Sequence, residues 1–474
     1  MLPYPHWLNA GDTSWQLTAA TLVGLMSLPG LAVLYGGLVQ RKWAVNTMIM
    51  AFTGFCLVLI VWVLWVFKLG FGQPWIGQFL GKPGPVLGAA AEQGRASVPN
   101  VGGGPSSTFP GFRFPQSALV YFQFVFAAIT PLLFLGSVVG RINFKVWLIF
   151  VPLWSTFAYA VNAFLLWGGG WWAQQGALDF SGGYVIHLAA GVSGFVAAAV
   201  IGPRLKRDRE HGVPNNLLLV SVGAGLLWLG WNGFNGGDPY FASQDAAAAV
   251  LNTNLATAMA MMTWIVMDML ISKQRKPTLL GGVNGMIVGL VGITPAAGYV
   301  NGLGAIVIGL TGSAIVWVAW NYLSRVPPFN RVDDALGVVY THGIAGLAGG
   351  LLVGFLADPH MIVYLGMGKN PSITTAGLFY GHPRQVLIQL GAALTVIVWD
   401  GLVTFILLRV IGLFMKLRMS DAELEAGDVA VHEEEVLPPE TLTRVGAGAR
   451  PALAEPDGAA PRPEQPEKVP SDSG

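Results

Sequence analysis

The chain has 474 residues, 53% hydrophobic and 11% charged, with a mean hydropathy of +0.58. Soluble domains carry about 25% charged residues, so this composition excludes one and places the chain in a lipid bilayer. The formal net charge of +1 removes the basic footprint of a nucleic-acid binder. Cys56 is the only cysteine, which excludes an intrachain disulfide, a cysteine-based zinc site and an iron–sulfur cluster.

Residues 1–14 have no basic stretch before the first apolar run. They read as an extracytoplasmic N-terminus rather than a cleavable signal peptide. A bilayer core of about 30 Å takes roughly 20 apolar residues per helix. On that basis the chain predicts eleven transmembrane helices, at 15–38, 44–67, 116–139, 146–167, 183–202, 215–235, 247–271, 279–295, 302–322, 336–356 and 385–414. The eighth is short. The odd-numbered connections hold thirteen Lys and Arg, among them Arg41, Arg141, Arg204 and Arg207, against six in the even-numbered ones. The positive-inside rule then puts the N-terminus outside and the C-terminus in the cytoplasm.

The loop at 69–115 is rich in Gly, Pro and Ser. It cannot bury enough apolar surface to fold alone, and is expected to be an extracytoplasmic insertion within a membrane domain spanning 15–414. A charged cytoplasmic tail is expected at 415–442, followed by a disordered Pro/Ala/Glu-rich tail at 443–474. No appended enzymatic domain is expected.

An internal repeat runs through the fifth and tenth spans. Asp179, Gly182, His187 and Gly191 are matched by Asp334, Gly337, His342 and Gly346, each 155 residues on. Two five-helix units of this kind have opposite orientation in the membrane, because five is odd. Transporters built from inverted repeats carry their sites near the midplane, between the halves. Four matched positions in Gly-rich helices also arise by chance.

A histidine in mid-span is costly to bury without a partner. His187 and His342 at matched positions imply each other, and small-residue stripes such as His342, Gly346, Gly350 and Gly354 let the backbones approach. Two blander readings stand beside a transport role: a structural hydrogen-bonded pair, or axial ligands of a haem in a membrane electron carrier. Residues this small leave little room for a macrocycle. Asp179 lies eight residues before His187, about 12 Å along a helix. It reads equally as a helix N-terminal cap and as a carboxylate that lowers the cost of a cation.

Phe122, Phe126, Trp167 and Phe234 cluster near the predicted outer ends of their spans. Aromatic faces attract cations, although most of the 17 tryptophans fit an interfacial belt better. Thr294-Pro295 ends the eighth span, where proline breaks a helix and frees carbonyls. Asp400 is an acid in mid-span with no partner legible in the sequence.

These residues sit in five stretches in order: FQFVFAAITPLLFLGSVVGR, LWGGGWWAQQGALDFSGGYVIHLAAGVSGFVAAAVIGPR, GWNGFNGGDPY, GMIVGLVGITPAAGYV and RVDDALGVVYTHGIAGLAGGLLVGFLADP. With them the chain resembles the ammonium transporter family (Amt/Mep/Rh), on the Mep-like branch of its bacterial members, over nearly all of 15–435. The resemblance implies a multi-pass protein of the cell (cytoplasmic or inner) membrane, a homotrimer of eleven-helix subunits, each with a pore between two inverted halves plus a final helix. It implies ammonium or ammonia as substrate, with methylammonium as analogue, and neither a catalytic residue, a metal nor a cofactor.

By the same resemblance His187 and His342 are the twin pore histidines, and Phe126 and Phe234 the stacked phenylalanine gate. Trp167, Phe122 and Phe126 line the outer recruitment site, with Asp179 the acid required near it. Asp238 stands where much of the family has a serine. RMSDAELEAGDVAVHEEE resembles the ordered cytoplasmic tail, with Gly427 and Asp428 at its turn, and a PII-type regulatory protein is the implied partner at Arg41, Arg207 and this tail. An ammonium sensor signalling through its tail, with little transport, is the alternative.

Overall fold

The computed structural model describes residues 4–99, 112–210, 212–363 and 374–436. Two compact units are distinguished, Met1–Glu434 and Glu435–Gly474, and all the described helices belong to the first. The disordered tail expected at 443–474 and the last residues of the ordered tail at 437–442 lie outside the described residues.

The described residues contain ten helices long and apolar enough to cross a membrane, and one shorter apolar helix. They are α1 (Ala10–Leu38), α2 (Arg41–Phe71), α3 (Gln116–Val138), α4 (Phe144–Gln174, interrupted at 167–170), α5 (Gly183–Ile201), α6 (Leu217–Gly237), α7 (Gln244–Leu270), the short α8 (Leu279–Ile293), α9 (Gly302–Arg325), α10 (Val339–Leu356) and α11 (Arg384–Phe414). Ten of the eleven expected spans are long and apolar enough to cross, and the eighth, α8, is an apolar helix of 15 residues, shorter than the rest. Two short helices follow, α12 (Asp421–Ala426) and α13 (Asp428–His432).

Several boundaries differ from the sequence expectation. Helix α1 starts at Ala10, because Asn9 accepts from the Asp12 amide and caps it. The described part of the 69–115 loop carries short ordered elements outside the membrane-spanning helices. Helix α2 continues to Phe71, strands Pro74–Ile76 and Leu80–Gly81 pair antiparallel, and a short helix covers Ala89–Gln93. The apolar residues of this segment, Val86, Ala96, Val98, Phe112 and Phe114, are few but buried.

Helix α3 is the central element. All but three of its 23 residues are buried, so it is apolar all round, as a helix enclosed by others must be. Five helices contain a widened π turn, at Met26–Gly30, Trp62–Val66, Ser155–Tyr159, Gly183–Leu188 and Val339–Ile344. Such turns are frequent at functional sites, and the last two hold His187 and His342.

Candidate functional site: a buried aromatic and histidine column

The two histidine helices begin alike. Asp179 Oδ2 accepts from the backbone N–H of Tyr184 and Val185 at 3.1 and 3.0 Å. The Asp334 carboxylate accepts from Val338 and Val339 at 3.2 and 2.8 Å. Gly182 and Gly337 both take the left-handed conformation, with φ of +105° and +75°, which a β-carbon disfavours. Three of the four residues matched by the 155-residue offset thus repeat the same local geometry: an aspartate cap, a left-handed glycine, and a histidine in a π turn. Of the two readings of Asp179, the helix cap is the one seen here. Its carboxylate caps α5, and its carbonyl accepts from Trp167 Nε1 at 2.7 Å.

The fourth matched pair sets the distance between the helices. A Cβ on Gly191 would lie 2.2 Å from the Cα of Gly343, and one on Gly346 would lie 2.6 Å from the Gly183 carbonyl and 3.0 Å from His187 Cβ. Only glycine permits this crossing, and it brings the imidazoles together. The Nδ1 atoms of His187 and His342 are 3.3 Å apart, their rings inclined by 27°. One nitrogen donates and the other accepts. With the two rings in direct contact, nothing can be sandwiched between them, so the haem reading fails on geometry. His187 is fully buried, and its Nε2 has no hydrogen-bond partner.

A line of rings continues from His187. Trp231 lies nearly parallel to it at 5.3 Å, and Phe234 at 5.9 Å. Phe234 stacks on Phe126 at 4.2 Å, with 23° between the planes. Phe126 in turn touches Phe122 at 4.8 Å and Trp167 at 6.2 Å. The structure therefore brings His187, His342, Phe126, Phe234, Phe122 and Trp167 into one continuous column.

The acids flank this column. Asp238, at the end of α6, is buried and accepts a hydrogen bond from the Ser181 hydroxyl, which also donates to the Phe234 carbonyl at 2.7 Å. Its carboxylate is thereby tied to the segment that carries Asp179. Nearby, Gln123 Nε2 donates to Tyr240 Oη at 2.6 Å, and Tyr240 packs edge-on against Phe122. The carbonyls freed after α8 are used as well: those of Thr294 and Pro295 accept from the N–H of Ser181 and Phe180 at 3.1 and 3.2 Å. Thr294 Oγ1 accepts from Trp231 Nε1 at 2.9 Å.

Sequence reasoning missed Trp231, Ser181 and Tyr240. Trp231 stands three residues before Phe234, on the same helix face, and that spacing was the available signal. Asp400 acquires a partner: Asn162 Nδ2 donates to its Oδ2 at 2.7 Å.

Gly427 and Asp428 lie elsewhere, in the tail packed against the start of α2. Asp428 accepts from the backbone N–H of Val45 and Asn46 at 2.8 and 2.9 Å, satisfying amides at a helix N-terminus. Gly427 has φ +76°, and a Cβ on it would lie 2.4 Å from the Lys42 carbonyl. Lys42 Nζ donates to the Leu424 carbonyl and pairs with Asp208, both within 2.9 Å. Arg204 pairs with Asp333 through two nitrogens and its own backbone N–H. Burial raises the Asp333 pKa, but that hydrogen bonding and the charges of Arg141 and Arg204 outweigh it and hold the carboxyl below its usual range.

Residues 14–437 match the Ammonium Transporter Family. The chain belongs to the ammonium transporter family. It is 47% identical over 434 residues to "Ammonium transporter 2" of Arabidopsis thaliana, covering 91% of this chain and 89% of that protein. It is 48% identical over 438 residues to "Ammonium transporter 3 member 2" of Oryza sativa subsp. japonica, covering 90% of each. Among solved structures, Saccharomyces cerevisiae Mep2 superposes with a TM-score of 0.75 at 30% identity, covering 88% of this chain and 91% of that one. A sensor Amt protein, at 22% identity and a TM-score of 0.75, shares the fold. The ammonium transporter is thus a helical, multi-pass membrane protein, and ammonium or ammonia is the substrate its family implies.

Proposed function

We propose that this ammonium transporter recruits ammonium at Trp167, Phe122, Phe126, Asp179 and Asp238, that ammonium passing the Phe126–Phe234 gate gives up its proton to the unpaired Nε2 of His187, from which the imidazole pair relays it, and that ammonia passes along His187 and His342. The observation that carries this reading is the unbroken column from Trp167 to His342, with two mutually hydrogen-bonded imidazoles buried at its inner end. Ammonium and potassium are alike in size and charge, so fit alone cannot separate them. Only ammonium has a proton to lose. Aromatic faces hold the cation by about 0.5–2 kcal/mol each. The stacked phenylalanines exclude a hydrated ion, and the imidazoles offer a neutral molecule alternate donors and acceptors. His187 Nε2, buried and unpaired, is the first acceptor such a molecule would meet.

The subunit acts in a homotrimer with inverted halves, its N-terminus outside and its tail in the cytoplasm. The matched starts of α5 and α10 and the distribution of Lys and Arg support this arrangement. The exposed Arg41 and Arg207 beside the tail form the docking face for a PII-type regulator.

Ammonium-evoked current in proteoliposomes tests the reading, with potassium as control cation and a His187→Ala, His342→Ala double variant. Current with ammonium alone, lost or made unselective in the variant, is expected. Ammonia flux without current would make transport electroneutral. A native chain that passes neither would overturn the proposal.

A further inference from the structure

Helix α11 lies outside the aromatic column, yet its buried face carries two glutamines one turn apart, Gln385 and Gln389, among Ala392, Ala393 and Val396. Two uncharged polar groups on an apolar face inside a membrane need partners. Gln389 is fully buried and has all of them. Its Oε1 accepts from the Leu178 N–H at 2.7 Å, and its Nε2 donates to the Leu178 carbonyl at 2.7 Å and to the Gly350 carbonyl at 2.8 Å. Gln385 Nε2 adds a bond to the same Oε1 at 3.2 Å and one to the Gly176 carbonyl at 2.9 Å. The orientation of the Gln389 amide is fixed chemically, since backbone N–H can only donate and carbonyls can only accept.

This side chain grips both backbone groups of one residue, as a neighbouring β-strand would. The gripped residue is Leu178, adjacent to Asp179. The third partner, Gly350, lies on α10, two turns beyond His342. Tyr184 of α5 packs onto Gly350, where a Cβ would lie 2.1 Å from its ring. Gln389 therefore joins the segment entering the α5 histidine helix to the body of the α10 histidine helix. Asp179 itself is bonded to α5 through its carboxylate and to Trp167 through its carbonyl, and among the described residues makes no bond to α10.

We infer that Gln389 is a positioning residue for cation capture, holding Leu178, and through it Asp179 and the Trp167 indole, in register against α10. The inference rests on the recruitment reading above. Glutamate at this position accepts from the Leu178 amide but, when ionised, places oxygen against the two carbonyls. Leucine leaves the N–H and carbonyl of Leu178 buried without a partner, the expensive case, while the Gly350 carbonyl keeps its bond within α10.

The test measures ammonium flux against concentration in proteoliposomes for native protein, Gln389→Leu, Gln389→Glu and Asp179→Asn, together with hydrogen–deuterium exchange over 175–182. Gln389→Leu is expected to raise the half-saturating ammonium concentration about tenfold, and to speed exchange at 177–180. Discrimination against potassium should be retained, because the histidines are untouched. Gln389→Glu is expected to do the same to a smaller degree at acid pH, where the protonated acid regains one donor. If Leu variant protein cannot be purified, the pH dependence of the Glu variant carries the test. Unchanged half-saturation and exchange in both Gln389 variants, with Asp179→Asn impaired, overturns the inference alone. Unchanged half-saturation in Asp179→Asn overturns the recruitment reading beneath it.

Discussion

The Nδ1 atoms of His187 and His342 lie 3.3 Å apart, and this bond is the only one either imidazole makes among the described residues. Replacing one ring by alanine therefore strands a buried nitrogen on the other. We expect His187→Ala or His342→Ala to destabilise the protein by about 1–3 kcal/mol, read as an earlier thermal unfolding midpoint in detergent. The double variant should be less destabilised than the two single effects summed, since removing both partners leaves nothing unpaired.

Gly191→Ala tests the helix crossing. The new methyl would lie 2.2 Å from the Gly343 Cα, and a backbone atom cannot step aside as a side chain can. A loss of about 1–3 kcal/mol is expected, with transport falling further than stability, because the imidazole contact separates with the helices. Flux and unfolding midpoint measured on the same preparation check it. Full flux in a normally stable Gly191→Ala protein would contradict the structure here.

Ser181→Ala removes the hydroxyl that bonds both the Asp238 carboxylate and the Phe234 carbonyl. Leaving these groups short of a donor should lower stability by about 1–3 kcal/mol and weaken ammonium binding. Ser181→Thr, which keeps the hydroxyl, should restore most of both. The comparison of half-saturation in the two variants decides it.

The tail should loosen in acid. Burial holds the His432 pKa below its usual value, opposed by the Glu434 charge, and its Nε2 donates to Asn46 Oδ1 at 2.9 Å. Asp333 is also held low. Each binds fewer protons folded than unfolded, so its contribution is complete above the unfolded value, about 6.5 for histidine and about 3.9 for aspartate, and is lost as pH falls. Exchange over 421–436 should accelerate below about pH 6.5, and exchange over 331–336 only in stronger acid. Faster exchange on raising the pH would reverse the assigned sign.

Asp428→Ala uncaps α2, an effect of about 0.5–2 kcal/mol. Limited proteolysis should then cut the tail sooner, while Asp428→Asn, still able to accept from the Val45 and Asn46 amides, should be cut more slowly than alanine.

Much of the column was legible in the chain because its signals are local or repeated. A histidine in an apolar span, an aspartate eight residues before it, and the same pair 155 residues later are readable without coordinates. So are Phe122 and Phe126, one turn apart. The pairing of distant side chains was not readable. Nothing in the spacing says that Asp400 meets Asn162, that Ser181 ties Asp238, or that Gln389 grips Leu178, because helix rotation and crossing choose those partners. The 155-residue match found Gly191 and Gly346 as positions, whereas the coordinates show that both lie at backbone contacts between α5 and α10. Within 69–115, composition does not single out the handful of aromatic and aliphatic residues that are buried.

The cap on α2 carries a consequence for biogenesis. Asn46 and Asp428 are separated by 382 residues, so the amides that open the second helix wait for an acceptor that leaves the ribosome only after all the intervening helices. Membrane integration of α2 then precedes completion of its own first turn, and the contact of Asp428 with α2 forms only after the last of the membrane helices has been made.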